Sequence, residues 1–177
     1  GLRVRGRRQR QMCIRDRAKA AGQKLPTTSE AVKRLAAKGL VEHERYFGVR
    51  LVEEGRRLAV AMVRRHRLLE TFLVRTLGYT WDEVHDEAEM LEHATSDRLV
   101  ERLDSFLGNP ARDPHGDPIP APDGTAEPVS RITLIDVPAQ TPVTVEQVTD
   151  ADGEFLRYLD KYGAVSYTHL TLPTTPY

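Results

Sequence analysis

RRHRLLETFL, residues 64–73, and HDEAEMLEHATSD, residues 85–97, decide how this chain is read. In the first stretch His66 and Glu70 stand four apart. In the second, His85, Glu89 and Glu92 follow at spacings of four and three, with His93 adjacent. Those offsets place side chains on one helix face, so six nitrogen and oxygen donors could converge on a divalent cation between two packed helices. A run of Glu, Asp and His on a helix is by default a solvated face, and spacing alone leaves both readings open. Two His-x-x-x-Glu pairs on successive helices, extended by Glu92 and His93, are what make the metal reading worth pursuing.

Donor type narrows the metal. Imidazole and carboxylate without thiolate suit Mn(II), Fe(II), Co(II) or Zn(II), and a carboxylate-rich set leans toward Mn(II). The single cysteine, Cys13, excludes an internal disulfide framework and Cys-based zinc fingers. A metal-dependent hydrolase is the alternative from another class, but the His-Glu-x-x-His helix of zincin peptidases is absent. So are a Gly-x-Ser-x-Gly elbow, a P-loop, a Rossmann fingerprint and the paired Glu-x-x-His of ferritin-like bundles. The chain is therefore expected not to be an enzyme.

Working outward, the helix carrying His66 and Glu70 is predicted within 53–77, with Leu58, Met62, Leu69, Phe72, Leu73 and Leu77 on its buried side and Gly78 as its stop. Thr80 with Glu83 forms a capping-box pattern opening the next helix, whose apolar stripe is Val84, Ala88, Leu91 and Thr95. A third helix is predicted from about Ser96 to Leu107, with Leu99, Leu103, Phe106 and Leu107 apolar and Gly108-Asn109-Pro110 ending it. Upstream, Thr27 and Glu30 form another capping-box pattern before the stripe Val32, Leu35 and Ala36. Leu40 to Leu51 then reads as two short strands around Gly48. Downstream, the Pro- and Gly-rich 111–128 reads as an irregular linker. Short strands are expected around Ile132, Leu134 and Val137 and around Val143, Val145 and Val148, and a helix over Phe155 to Tyr162.

The ends differ from the middle. Seven arginines and one aspartate precede Ala18 and no Asp, Glu, Lys or Arg follows Gly163, leaving 19 basic against 25 acidic side chains between them, although the formal net charge is zero. Residues 1–17 and 164–177 resemble translated sequencing-adapter read-through and are expected to be non-native. No apolar run is long enough to cross a bilayer, so a soluble, cytoplasmic protein without membrane contact is expected.

The strings PTTSEAVKRLAAKGLVEH, RRHRLLETFL, HDEAEMLEHATSD and PHGDPIP together resemble the diphtheria-toxin-repressor and manganese-transport-regulator family of metal-dependent transcriptional repressors. The resemblance implies a mainly α chain of three parts. These are a partial winged helix-turn-helix (18–55), a helical metal-binding and dimerisation domain (56–110) and, after the linker, a truncated C-terminal SH3-like β domain (129–163). It implies a homodimer on double-stranded operator DNA, activated by Mn(II) or by Fe(II) and controlling metal-homeostasis genes. Carried over by position, His66, Glu89, Glu92 and His93 fall on the principal ligands, and Glu70 and His85, with His66, on ancillary ones. Glu89 stands where iron-type members have a cysteine, which resembles the manganese branch. Glu154 falls near a ligand from the SH3-like domain. Thr27, Thr28, Ser29 and Lys33 lie at the front of the matching recognition helix, and Arg45 and Arg50 in the wing are the expected phosphate contacts. The family's first helix supplies an acidic or Met ligand and should precede Ala18, where this chain has its Arg-rich string. Apolar faces around Trp81 and the third helix are expected at the dimer interface.

Overall fold

The structure, a computed structural model, describes residues 24–44, 48–149, 153–164, 166 and 169–171. Cys13 and Arg45 lie outside them. The chain divides into two compact units, Gly1–Ala59 and Val60–Tyr177.

In the first unit, α1 spans Leu25–Ala37. It starts before the expected Thr27–Glu30 box, which is not formed. Lys24 is the N-cap and has no side-chain cap, and Pro26 occupies the first turn, where its missing N–H and fixed φ suit a helix start. Thr28 is consequently inside the helix and buried, donating its amide and, at 3.4 Å, its hydroxyl to the Lys24 carbonyl. At the other end Gly39, at φ 68, allows the Gly39 and Leu40 amides to reach back to the Ala36 and Leu35 carbonyls. Strands β1 (Val41–Glu44) and β2 (Gly48–Leu51) pair antiparallel, Val41 opposite Leu51 and His43 opposite Val49. Gly48 opens β2 instead of marking the turn. Val32, Val41 and Val49 form the small core, against which Ala36 packs, whereas Leu35 is exposed.

Helix α2, Glu53–Phe72, continues as a π-helical turn, Leu73–Leu77, and stops at Gly78, whose φ of 75 suits a residue without Cβ. Its buried side in the second unit is Leu68, Leu69, Leu73 and the polar Glu70 and Thr71, whereas Leu58 and Leu77, expected inside, are exposed. Helix α3 is only Val84–Glu92. The expected Thr80–Glu83 capping box is not formed: the two side chains meet each other, hydroxyl to carboxylate at 2.7 Å, neither caps a helix amide, and residues 81–83 form a turn ahead of the helix. Helix α4, Asp97–Phe106, is capped by Ser96, whose hydroxyl accepts the Leu99 amide. It buries Val100 and Leu103. Leu99 and Phe106, seven residues apart on an adjacent stripe, are 47% and 67% exposed.

Leu69, Leu73, Val84, Ala88 and Leu103 form the main core, and Leu68, Val100 and Ile119 a second cluster. Ile119 belongs to the expected linker. Residues 111–128 carry no helix or strand, yet they are not a free tether. Arg64 and Arg67 of α2 donate to the Pro120 and Pro118 carbonyls at 2.7 and 2.6 Å, and Arg67 also meets Asp117 at 2.8 Å. A segment without a ladder of its own has to satisfy its buried carbonyls in this way. Gly116, at φ 89, lies so close to the Glu146 carbonyl that a Cβ would collide with it.

Beyond the linker the expected strand at Ile132–Val137 is absent. Leu134–Asp136 is a single 3-10 turn, and Ile132, Leu134 and Ile135 are exposed. Strand β3, Pro142–Thr144, pairs with β4, His169–Thr171, which lies in the tail read as non-native. Main-chain pairing needs no apolar pattern, so composition did not disclose it. Helix α5, Gly153–Lys161, buries Leu156. The sequence placed a domain boundary near 128. Across it, Arg112 reaches Glu146 at 2.7 Å, Gln147 reaches Asp117 at 2.8 Å and the Val148 amide donates to the His115 carbonyl.

Candidate metal centre

Helical geometry fixes which side chains of α2 and α3 can meet. His66 and Glu70 lie one turn apart on α2. On α3 the core stripe is Val84, Ala88 and Leu91, and at 100° per residue Glu92 lies nearest to it, then His85, then Glu89, with His93 farthest round. Exposure follows the same order: Glu92 is buried, His85 half-buried, Glu89 and His93 exposed.

Four of the six expected donors therefore meet. His66 Nδ1 is 2.8 Å from Glu92 Oε2, and His66 Nε2 is 3.0 Å from Glu70 Oε1 and 3.2 Å from His85 Nδ1. His85 Nδ1 is 3.3 Å from the same Glu70 oxygen. His93 sits at the rim, its Nε2 3.5 Å from Glu92 Oε1. Among the described residues no hydrogen bond or ion pair joins Glu89 to this group. His66 thus stands between two groups, Nε2 with Glu70 and His85 and Nδ1 with Glu92, beside which His93 lies; the first group is the set expected as ancillary ligands.

The electrostatics are those of an imidazole sharing protons with acids. Burial works against a charged His66, but Glu70 and Glu92 overcome it and hold the imidazole above its usual range. Burial likewise works against an ionised Glu70, whose exposure is 1%, yet His66, His115 and His85 keep its carboxyl below the usual range. Metal–donor bonds of about 2.1 Å put neighbouring octahedral donors about 3.0 Å apart. The separations among His66 Nε2, Glu70 Oε1 and His85 Nδ1 match, so a divalent ion could replace the shared protons there, and another could replace the proton between Nδ1 and Glu92.

A second group shares Glu70. Single donor atoms of Glu70, Asp113 and His115 lie within 4.8 Å of one another, and the three residues are 1%, 4% and 0% exposed. Asp113 Oδ1 accepts the His115 and Asp117 amides, each at 2.9 Å, which holds the turn together. Burial first, then the charge of Glu70, push the Asp113 carboxyl up to about 7. His115 Nε2 lies 3.1 Å from the Trp81 carbonyl, to which it can only donate. Nδ1 is buried and without a partner, and in the neutral ring it carries the lone pair. Asp113 and His115 were not among the sequence candidates. Their only local signal was a carboxylate and an imidazole two apart inside a Pro-Gly turn.

The DNA-facing candidates are divided too. Thr27 and Lys33 are exposed and Ser29 is half-buried, but Thr28 is turned inward. Arg50 forms an exposed 2.7 Å ion pair with Glu42 across the hairpin. Glu154 is exposed on α5. Among the described residues no helix is long and apolar enough to cross a membrane.

Comparison with known proteins bears on this geometry. Residues 52–121 match the family model described as "Iron dependent repressor, metal binding and dimerisation domain". The chain is 36% identical over 163 residues to the iron-dependent repressor IdeR of Mycobacterium tuberculosis (strain ATCC 25618 / H37Rv), covering 85% of this chain and 71% of that protein. It is 40% identical over 118 residues to the diphtheria toxin repressor of Corynebacterium efficiens, covering 64% of this chain and 51% of that one. A solved manganese-dependent transcriptional repressor in complex with manganese superposes with a TM-score of 0.84 at 48% identity, covering 94% of this chain and 76% of that one.

Proposed function

This chain belongs to the iron-dependent and diphtheria toxin repressor family, and on that premise we propose that it is a metal-activated, DNA-binding transcriptional repressor responding to Mn(II). The observation that carries the proposal is the meeting of His66, Glu70, His85 and Glu92 between α2 and α3 inside the segment matching the family's metal-binding domain. Mn(II) is favoured over Fe(II) because the set is carboxylate-rich, with Glu89 standing where the resemblance gives iron-type members a cysteine. The resemblance to a repressor solved with manganese supports the same choice.

In this reading His66 Nδ1 and Glu92 hold the ion across the two helices, with Glu89 and His93 at the open rim completing the coordination, while Glu70 and His85 face Nε2 on the opposite side of the ring. Glu70, Asp113 and His115 form a second cation position. A positive ion there relieves the repulsion between two buried carboxylates and takes the free His115 lone pair. The metal stabilises one arrangement of a pre-existing equilibrium, and that arrangement is the one in which a homodimer fits operator DNA. Thr27, Ser29, Lys33 and Arg50 supply contacts to the duplex, and the exposed Leu99 and Phe106 of α4 lie in the dimer face. Location in the cytoplasm follows from the same role.

Selection of bound duplexes from a random DNA pool tests this reading. Enrichment of a two-fold symmetric sequence with Mn(II) and its loss on chelation are expected. Enrichment indifferent to chelator would leave a DNA-binding protein that senses something other than metal.

A further inference from the structure

Two consecutive residues of α2 approach Glu92 in different ways. His66 meets its carboxylate at 2.8 Å, while Arg65 Nη1 donates to its main-chain carbonyl at 3.2 Å. Glu92 is the last residue of α3, so that carbonyl is one of the four at a helix end without an intrahelical partner, and a cation there also complements the helix dipole. The other arm of the guanidinium, Nη2, lies 2.6 Å from Asp97 Oδ1 at the first residue of α4. One rigid fork therefore spans the α3–α4 corner.

The stabilisation this provides is small for a residue so well buried. The Arg65 side chain is 18% exposed but its ionic partner Asp97 is 89% exposed, and such a pair contributes little. Its Nε is buried without a partner. What the fork does is fix a position. The Glu92 carbonyl and the His93 amide belong to one planar peptide, so the same hydrogen bond sets where two expected ligands leave the backbone.

We propose that Arg65 is a positioning residue of the metal centre, holding the 92–93 peptide so that the Glu92 carboxylate faces His66. The inference rests on the assignment of metal to His66 and Glu92. Its test is Co(II) titration of the full chain followed by d–d absorption, with thermal unfolding of the metal-free protein measured alongside. Arg65→Gln is expected to weaken Co(II) binding about tenfold and to alter the band, as loss of an orienting partner does. Arg65→Lys, which keeps one donor but not the fork, is expected to recover part of the affinity. Wild-type binding and spectrum in Arg65→Gln overturn the proposal. Equal losses in both variants with an unchanged band also overturn it, because they mark a purely structural role. Should Arg65→Gln not fold, Asp97→Ala removes the acceptor and releases one arm of the fork while leaving Arg65 in place. It is expected to weaken Co(II) about threefold, and unchanged binding there overturns the proposal. Failure of the wild-type chain to bind Co(II) refutes the metal assignment itself.

Discussion

On one side of Glu70 the donors His66, His85 and Glu92 come from two helices; on the other, Asp113 and His115 come from an irregular turn. The helical side is placed by periodicity. Each donor's distance from the core follows from its angle to Val84 and Ala88, and Glu89, farther round than Glu92 or His85, is left at the surface. The turn is placed by individual contacts: the Asp113 carboxylate on two amides, Arg67 on Asp117 and the Pro118 carbonyl, and Gly116 beneath Glu146. Helices can thus present ligands with ordinary residues, whereas the turn depends on a few irreplaceable ones.

Predictions follow from removing each side in turn. Glu70 serves both, so Glu70→Gln should have the largest effect, a loss of Mn(II) affinity on the order of a hundredfold by calorimetry, with the sites failing together. Independent loss of one site would separate them and break the comparison. Arg67→Met strips the turn of its guanidinium, leaving the Pro118 carbonyl without its donor and Asp113 and Asp117 without that cationic partner. It should cost about 3 kcal/mol of stability in urea unfolding, with the His66 side still binding metal. Gly116→Ala should cost about 1 to 3 kcal/mol, because φ 89 and the Glu146 carbonyl both oppose a Cβ. A neutral result would show that the turn is looser than the contacts imply. The mildest change is Glu89→Cys, expected to leave stability unaltered while moving the response from Mn(II) toward Fe(II) or Co(II). An identical metal preference would remove Glu89 from the ligand set.

Proton exchange sharpens the comparison on the helical side. His66 is held above its usual range by Glu70 and Glu92, so metal must displace a proton there. Affinity should fall as pH drops through the raised value and rise above it. Calorimetry in buffers of different ionisation enthalpy should therefore show proton release near neutral pH, and its absence would mean that the imidazole is already neutral.

The helices, their stop at Gly78, the Ser96 start of α4 and the meeting of His66, Glu70, His85 and Glu92 were legible in the sequence, because each rests on a spacing or on a residue with a local preference. Thr28 was misplaced because Lys24-Leu25-Pro26 starts α1 earlier than the Thr27–Glu30 pattern suggests. Leu99 and Phe106 were read as apolar without a side assigned and lie outside, since an apolar residue on a helix does not declare whether the chain's own core or another surface covers it. Asp113 and His115 went unrecognised for a different reason. Their meeting with Glu70 depends on side-chain contacts more than 40 residues away along the chain, and no local pattern encodes those.

The central claim is that a cation joins α2 to α3. Anomalous scattering at the manganese edge from crystals of the Mn(II)-loaded full chain tests it most directly. A peak between the two helices, within bonding distance of His66 and Glu92 side-chain atoms, is the predicted result. Well-ordered helices with no peak there, or manganese bound only at surface carboxylates, would contradict it.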